Sequence, residues 1–295
     1  MNVVKNKWKD RAVFVSFVAP VIILILITAE IPFLMSLYYS FTKWNGISKN
    51  ITFIGFKNFI ELFTQDKGAL KSFLFTIQFS IVNIIGTNVL ALILAVFLTK
   101  KFKLNNMLRA AFFVPYIVSL VIIGFIWKFI FSSAFTSMFN VTHWDFFNWS
   151  WLGTPNLAFV SVILVSIWQS VGFYMMIYIT GLQAIPNDLN EAAGIDGANA
   201  FQRFFKITLP LLIPSLTVAL FMSISNSLKI FDIIFTLTFG GPGKSTTSTT
   251  MDIYNEAFVN NRFGYATAKS LVFVIIILII TFIQVKFFKS KEVEA

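Results

Sequence analysis

Long apolar stretches separated by short polar ones are the first pattern along the chain. Six runs are long enough to matter: about Ala12–Tyr38, Ser72–Leu98, Ala111–Phe131, Leu157–Gly181, Leu211–Leu228 and Ala268–Phe288. A helix needs roughly 20 apolar residues to cross about 30 Å of hydrocarbon, so each run predicts a transmembrane helix. A β-barrel would show alternation in segments of about ten residues, and the stretch from Leu271 to Ile280 has none. The basic residues Lys5, Lys7, Lys9 and Arg11 precede the first run in the manner of a signal peptide. That run is too long for one, lacks a convincing cleavage site and is followed by five more, so it is taken as a retained helix.

Composition agrees with the pattern. Apolar residues make up 57% of the 295 and charged residues only 12%, whereas soluble domains carry about 25% charged residues. This excludes an ordinary soluble enzyme, and also disorder, which needs low hydrophobicity. The chain has no cysteine and one histidine, His143. Thiolate zinc, disulfides, a cysteine nucleophile and any two-histidine site are therefore excluded. The net charge of +10 raises nucleic acid as a partner, but the bases are spread between apolar runs and fit membrane topology better. Lys and Arg favour the cytoplasmic side. With the N-terminus inside, segments 1–11, 99–110, 182–209 and 284–295 face inward, and they are the richer in Lys and Arg. Both termini are accordingly expected inside, with tails at 1–11 and 289–295 around a membrane domain at 12–288. Trp44, Trp144, Trp149 and Trp151 gather in stretches expected outside; they read as an interfacial belt or as contacts for an outer partner.

Segment 182–209 is unlike a plain connector. Pro186-Asn187-Asp188 is a helix-start signal, Gly197 breaks a first short helix, and Ala198–Lys206 can form a second. Leu189, Phe201, Phe204 and Phe205 give the pair an apolar face, as on a docking knob for another protein. Within it stand Glu191-Ala192-Ala193, three residues, Gly197, nine residues, then Ile207-x-Leu209-Pro210.

That arrangement resembles the EAA–G–IxLP signature of permease subunits in binding-protein-dependent ABC importers, matching at every fixed position. Phe53-Ile54-Gly55-Phe56-Lys57-Asn58-Phe59 resembles a segment of the sugar-type members. So do Phe231-Asp232 with Leu237-Thr238, Gly240-Gly241-Pro242, Tyr254, Ala257-Phe258 and Gly264-Tyr265-Ala266. Glu30 departs from the apolar or aromatic residue expected before Pro32. The resemblance implies an all-α polytopic protein of six spans, of the type I importer permease kind, in a prokaryotic plasma membrane. It implies that Glu191, Ala192, Ala193, Asp196, Gly197, Ile207, Leu209 and Pro210 couple the spans to ATPase subunits. Implied partners are a second homologous permease, two ATPase subunits, an extracytoplasmic solute-binding protein, a sugar and the lipid bilayer, with no nucleic acid. ATP and Mg would be held by the ATPases, with no cofactor or metal on this chain and no catalysis by it.

Gly243-Lys244-Ser245 imitates a P-loop, but the position needing the first glycine is Thr238. Polar residues inside the spans are the candidates for a solute path, because lipid penalises them. Ser80, Asn83 and Thr87 share a face of the second span; Ser166, Gln169, Ser170 and Tyr174 lie together on the fourth. Met222, Ser223 and Asn226 continue to Lys229 on the fifth. Neutral amides, hydroxyls and rings suit an uncharged sugar, yet the same residues tie helices together in any bundle. Glu30, Lys128, Lys229 and Asp232 are placed near span ends, with Lys229 and Asp232 spaced as an intrahelical pair. Lys229 keeps open a glycerol phosphate or other small polar cargo, and a self-contained secondary transporter is the rival of another class.

Overall fold

The computed structural model describes residues 7–100 and 103–290. Lys5, Lys101 and Lys291 of the expected inward segments lie outside them. The helices are α1 (Lys7–Ile25), α2 (Ile31–Tyr39), α3 (Lys57–Thr64), α4 (Lys67–Thr99), α5 (Asn105–Ile117), α6 (Leu120–Phe129), α7 (Phe135–Thr142), α8 (Asp145–Asn148) and α9 (Pro155–Ala184). After them come α10 (Asn187–Ile195), α11 (Ala200–Arg203), α12 (Leu209–Leu211), α13 (Ile213–Leu228), α14 (Thr249–Tyr254) and α15 (Phe263–Lys289). Two short strands, β1 (Thr42–Lys43) and β2 (Thr52–Phe53), pair antiparallel with Thr42 opposite Phe53. The chain forms two compact units, one of residues up to Asp66 with Ile253–Val272, the other of Lys67–Asp252 with residues from Phe273 on.

In the first unit, α1 and α2 join into one apolar helix from Val13 to Tyr39. Pro32 has no N–H to give the carbonyl of Thr28, and the ladder widens to a π-helical turn over Leu26–Glu30. This corrects the expected place of Glu30, which sits well inside the helix rather than at its end. Beyond α2 the chain turns back through the β1–β2 hairpin. Asn58, buried at the start of α3, donates to the carbonyls of Ser40 (2.8 Å) and Thr42 (3.0 Å). Gly55 enables the turn into α3 with φ +60°, a value that strains residues with a Cβ. The glycine and asparagine of the Phe53–Phe59 motif thus have local structural reasons. Gly264 has another: a Cβ there would stand 2.2 Å from the Thr42 carbonyl oxygen.

In the second unit, α4 and α9 lie against one another, and α5 and α13 pack onto them. The core joins Ala91, Ala95 and Leu98 of α4 to Val171, Tyr174, Met175, Tyr178 and Ile179 of α9, with Leu212 and Ala219. Small residues let such backbones approach closely, which favours association in lipid. Gly172 is the extreme case, since a Cβ on it would fall 1.9 Å from the Phe112 carbonyl oxygen of α5.

Five described helices are long and apolar enough to cross a membrane, and six if the bent pair Ala200–Leu211 and Ile213–Leu228 is one span. The expected third run, Ala111–Phe131, is not one helix. Val118 and Ser119 are extended (ψ 139° and 131°), so α5 ends and α6 begins there. Pro115 inside α5 lacks a donor for the carbonyl of Ala111. The membrane-length helix at this place runs Leu120–Thr142 instead. The fifth run is one helix from Ile213, and the helix Ala200–Leu211 ahead of it meets it at a 69° bend. Pro214 cannot donate to the carbonyl of Pro210, which leaves the ladder open at that point.

Candidate functional site

The segment between α9 and α13 is built as a knob. Pro186 precedes the first turn of α10 and Asp188 lies within that turn, where negative charge is favoured. The helix ends at Ile195, and the chain reverses through Gly197, whose φ is +74°. The Ala198 N–H returns to the Ala193 carbonyl at 2.9 Å, closing the turn. No atom lies within 4 Å of a Cβ built on Gly197, so its backbone alone demands glycine. The second helix starts later than Ala198 because Asn199 and Gln202 form a reciprocal capping box, each side chain accepting the other's backbone N–H at 2.9 Å. Nor does it end at Lys206. It runs from Ala200 through a π-helical turn, Phe204–Thr208, to Leu211.

Exposure divides the signature residues into two groups. Glu191, Ala192, Asp196 and Gly197 are exposed, while Ala193 is buried. Ile207, Leu209 and Pro210 are half-buried where the segment joins the bundle. Ile195 is 88% exposed and Phe201 72%, so the tip of the knob presents apolar side chains to its surroundings. Exposed apolar groups on a short helical pair suit a protein cleft. The root is fixed in the core: Leu212 is fully buried, and a Cβ on Gly181 of α9 would meet the Ser215 Oγ at 2.1 Å. The absence of a side chain at Gly181 thus lets α9 pack directly against Leu212 and Ser215 at the root of the knob.

Most of the polar residues expected along a path form a buried seam among α4, α9 and α13. Asn83 donates to Ser227 Oγ at 2.9 Å. Asn88 donates to Ser223 Oγ at 3.0 Å and accepts the Tyr178 hydroxyl proton at 2.6 Å. Asn88, Tyr178 and Ser227 were not singled out by sequence; the signal available was their four- and five-residue offsets from Asn83, Tyr174 and Ser223. Ser166 and Ser170 bond back into their own helix. Gln169 reaches the Tyr116 carbonyl at 3.5 Å, and Asn226 the Tyr174 hydroxyl at 3.4 Å, both long. The buried oxygens Ser80 Oγ, Asn83 Oδ1 and Thr87 Oγ1 have no partner among the described residues. Asn226 and Lys229 are exposed.

The family model for the inner membrane component of binding-protein-dependent transport systems matches residues 87–292. The chain belongs to that family. It is 41% identical over 94% of its length to a probable starch degradation products transport system permease protein of Thermoanaerobacterium thermosulfurigenes, covering 94% of that protein. It is 37% identical to the multiple sugar-binding transport system permease protein of Streptococcus mutans, over 94% of this chain and 96% of that one. An sn-glycerol-3-phosphate transport system permease protein of Agrobacterium fabrum is 31% identical, over 93% and 94%. In fold the chain is similar to a chain of a bacterial ABC transporter involved in importing the acidic polysaccharide alginate, with TM-score 0.83, 22% identity and coverage of 97% and 99%.

Several expectations for this permease need correction. Lys229 and Asp232 form no intrahelical pair, because α13 stops at Leu228 with Lys229 as its C-cap. Trp151 belongs to no surface belt: it is 5% exposed and stacks on Phe131 at 5.3 Å, while Trp144 and Trp149 stay exposed. The glycines around Pro242 need no correction, since they form turns. They follow a helical turn, Ile234–Thr238, and the N–H groups of Gly241, Ser245 and Thr246 are spent on carbonyls within the turn. An ionic cluster was missed altogether. Lys269, 3% exposed, lies 2.7 Å from Asp66 and 3.9 Å from Glu256. Tyr265 donates to Asp66 at 2.7 Å, and Arg262 bonds Glu61. Burial works against the Arg262 charge, yet the Glu61 hydrogen bond with the Glu61 and Glu256 carboxylates holds it above its usual range. These partners lie some 200 residues apart, which no local pattern could signal.

Proposed function

We propose that this permease is one transmembrane half of an ABC importer for a sugar or oligosaccharide. A second homologous permease completes the path, and an extracytoplasmic binding protein delivers the cargo. Two ATPase subunits, which hold ATP and Mg, dock beneath the knob. The observation that carries this reading is the exposed, core-rooted knob bearing Glu191, Ala192, Asp196 and Gly197. Its placement requires that the knob and both termini face the cytoplasm of a prokaryote, in keeping with the bases at 1–11, 99–110 and 284–295. Closure of the ATPases shifts the knob, and the rigid Leu212–Ser215–Gly181 contact passes that shift to α9 and α13. The spans then change from inward- to outward-facing, and hydrolysis resets them.

Sugar as cargo is supported by the relatives named for starch products and multiple sugars and by the neutral polar side chains of the seam. Tyr174, Asn226, Gln169 and the unpartnered oxygens of Asn83 and Thr87 are the groups with hydrogen-bonding capacity left for hydroxyls. Ser223 and Asn88 instead hold the bundle together. A glycerol phosphate is the second reading, favoured by the exposed Lys229 and the relative named for that solute. Uptake of radiolabelled maltooligosaccharide and of labelled sn-glycerol 3-phosphate, in cells carrying the complete transporter, separates the two. Accumulation of neither, or sugar uptake unchanged by Glu191→Lys at equal membrane levels, overturns the proposal.

A further inference from the structure

Beside the core of the second unit, α5 and α9 leave an open groove of ≈ 380 Å³ walled by Phe113, Phe173, Met176 and Ile177. Its size falls within the range of small-ligand sites. The wall is almost wholly apolar, yet Arg109 and Thr180 share it. Helix order sets them at one end, since Phe112 meets Gly172 further along.

Arg109 is only partly provided for by the chain. Its Nη2 donates to the Leu98 carbonyl at 2.6 Å, at the C-terminal end of α4. That helix end supplies roughly half a negative charge. The buried Nε has no acceptor, and no described carboxylate pairs with the guanidinium. A cation withdrawn from water without a counter-ion is costly. Two more cations stand close by in the chain. Lys100 and Lys103 are exposed, and the Asn105 side chain bonds the Lys100 carbonyl. An apolar trough with a cation at its end and two exposed lysines nearby in the chain is complementary to an acyl chain ending in a phosphodiester.

We propose that the α5–α9 groove binds an anionic phospholipid. Its phosphate sits beside Arg109, with Lys100 and Lys103 around it, and one acyl chain lies along Phe113, Phe173 and Ile177. A transmembrane helix of another subunit could fill the trough but would leave the Arg109 charge unmet; the phosphate meets both requirements.

The test uses the complete transporter in nanodiscs of phosphatidylcholine containing phosphatidylglycerol, with retained lipid read by native mass spectrometry. Phosphatidylglycerol is expected to be retained over phosphatidylcholine, and Arg109→Gln to reduce that retention about tenfold, the worth of one charged hydrogen bond. Ala110→Trp, which keeps every charge but fills the groove, is expected to do the same, and it serves if Arg109→Gln fails to assemble. Equal retention by wild type and Ala110→Trp overturns the proposal. So does efficient disulfide crosslinking from Met176→Cys to a cysteine introduced on the second permease, because it makes the groove a subunit contact.

Discussion

Tyr178 gives its hydroxyl proton to Asn88 Oδ1 across 2.6 Å, with both residues buried between α4 and α9. Asn88 also holds Ser223 of α13, so one amide ties three helices. In lipid such a bond competes with no water, and its loss leaves a polar atom among apolar ones. Tyr178→Phe is expected to lower stability by about 1 kcal/mol, and Asn88→Leu by about 1–2 kcal/mol. Thermal unfolding of the detergent-purified transporter checks this. Asn226→Ala, at an exposed position with one long bond, is expected to leave the melting temperature unchanged.

The Lys269–Asp66 pair should behave differently. Removing one partner leaves a buried charge that Glu256 or Tyr265 offsets only in part, so Lys269→Met or Asp66→Leu alone is expected to cost up to about 3–5 kcal/mol. The double variant should recover most of that, since an apolar pair of similar volume is tolerated. Yield and melting temperature across the four proteins form the cycle. A double variant as unstable as the sum of the singles would show that the pair acts through something other than mutual charge.

At the knob, Glu191→Lys and Gly197→Pro are expected to abolish uptake and cargo-stimulated ATP hydrolysis while membrane insertion stays intact. Gly197→Ala is the milder case, with a strain of about 1–2 kcal/mol from the left-handed backbone and no steric clash. Immunoblots of membranes beside transport assays separate lost coupling from lost protein.

Backbone contact makes two glycines irreplaceable. Gly172→Ala and Gly264→Ala would each place a Cβ within 2.2 Å of a carbonyl oxygen, so both are expected to abolish assembly. Gly194→Ala, where nothing lies within 4 Å, is the control and should assemble normally. Complex yield after affinity purification reads all three.

Topology can be checked without first removing native thiols, because the chain has no cysteine. Ile195→Cys is expected to react with membrane-impermeant maleimide only in inverted vesicles, and Trp149→Cys only in intact spheroplasts. Labelling of both from one side would overturn the proposed orientation.

What the amino-acid order determined is what depends on neighbours along the chain. Apolar runs announced the spans because a helix crossing lipid must satisfy its own backbone and show lipid-compatible side chains along its length. Glu191, Gly197 and Pro210 stood at readable spacings because their signals are local: a place on a short helix, a left-handed turn, a residue without an N–H. Only the tertiary structure decided that Ala111–Phe131 breaks at Val118–Ser119 and that Trp151 turns inward onto Phe131. It alone also decided that Ser223 braces Asn88 and that Lys269 meets Asp66. The last three depend on a partner distant in sequence, and an isolated polar residue in an apolar run looks the same whether it faces a solute, another helix or a counter-ion. Folding chooses among them by which partner offsets the cost of burying it.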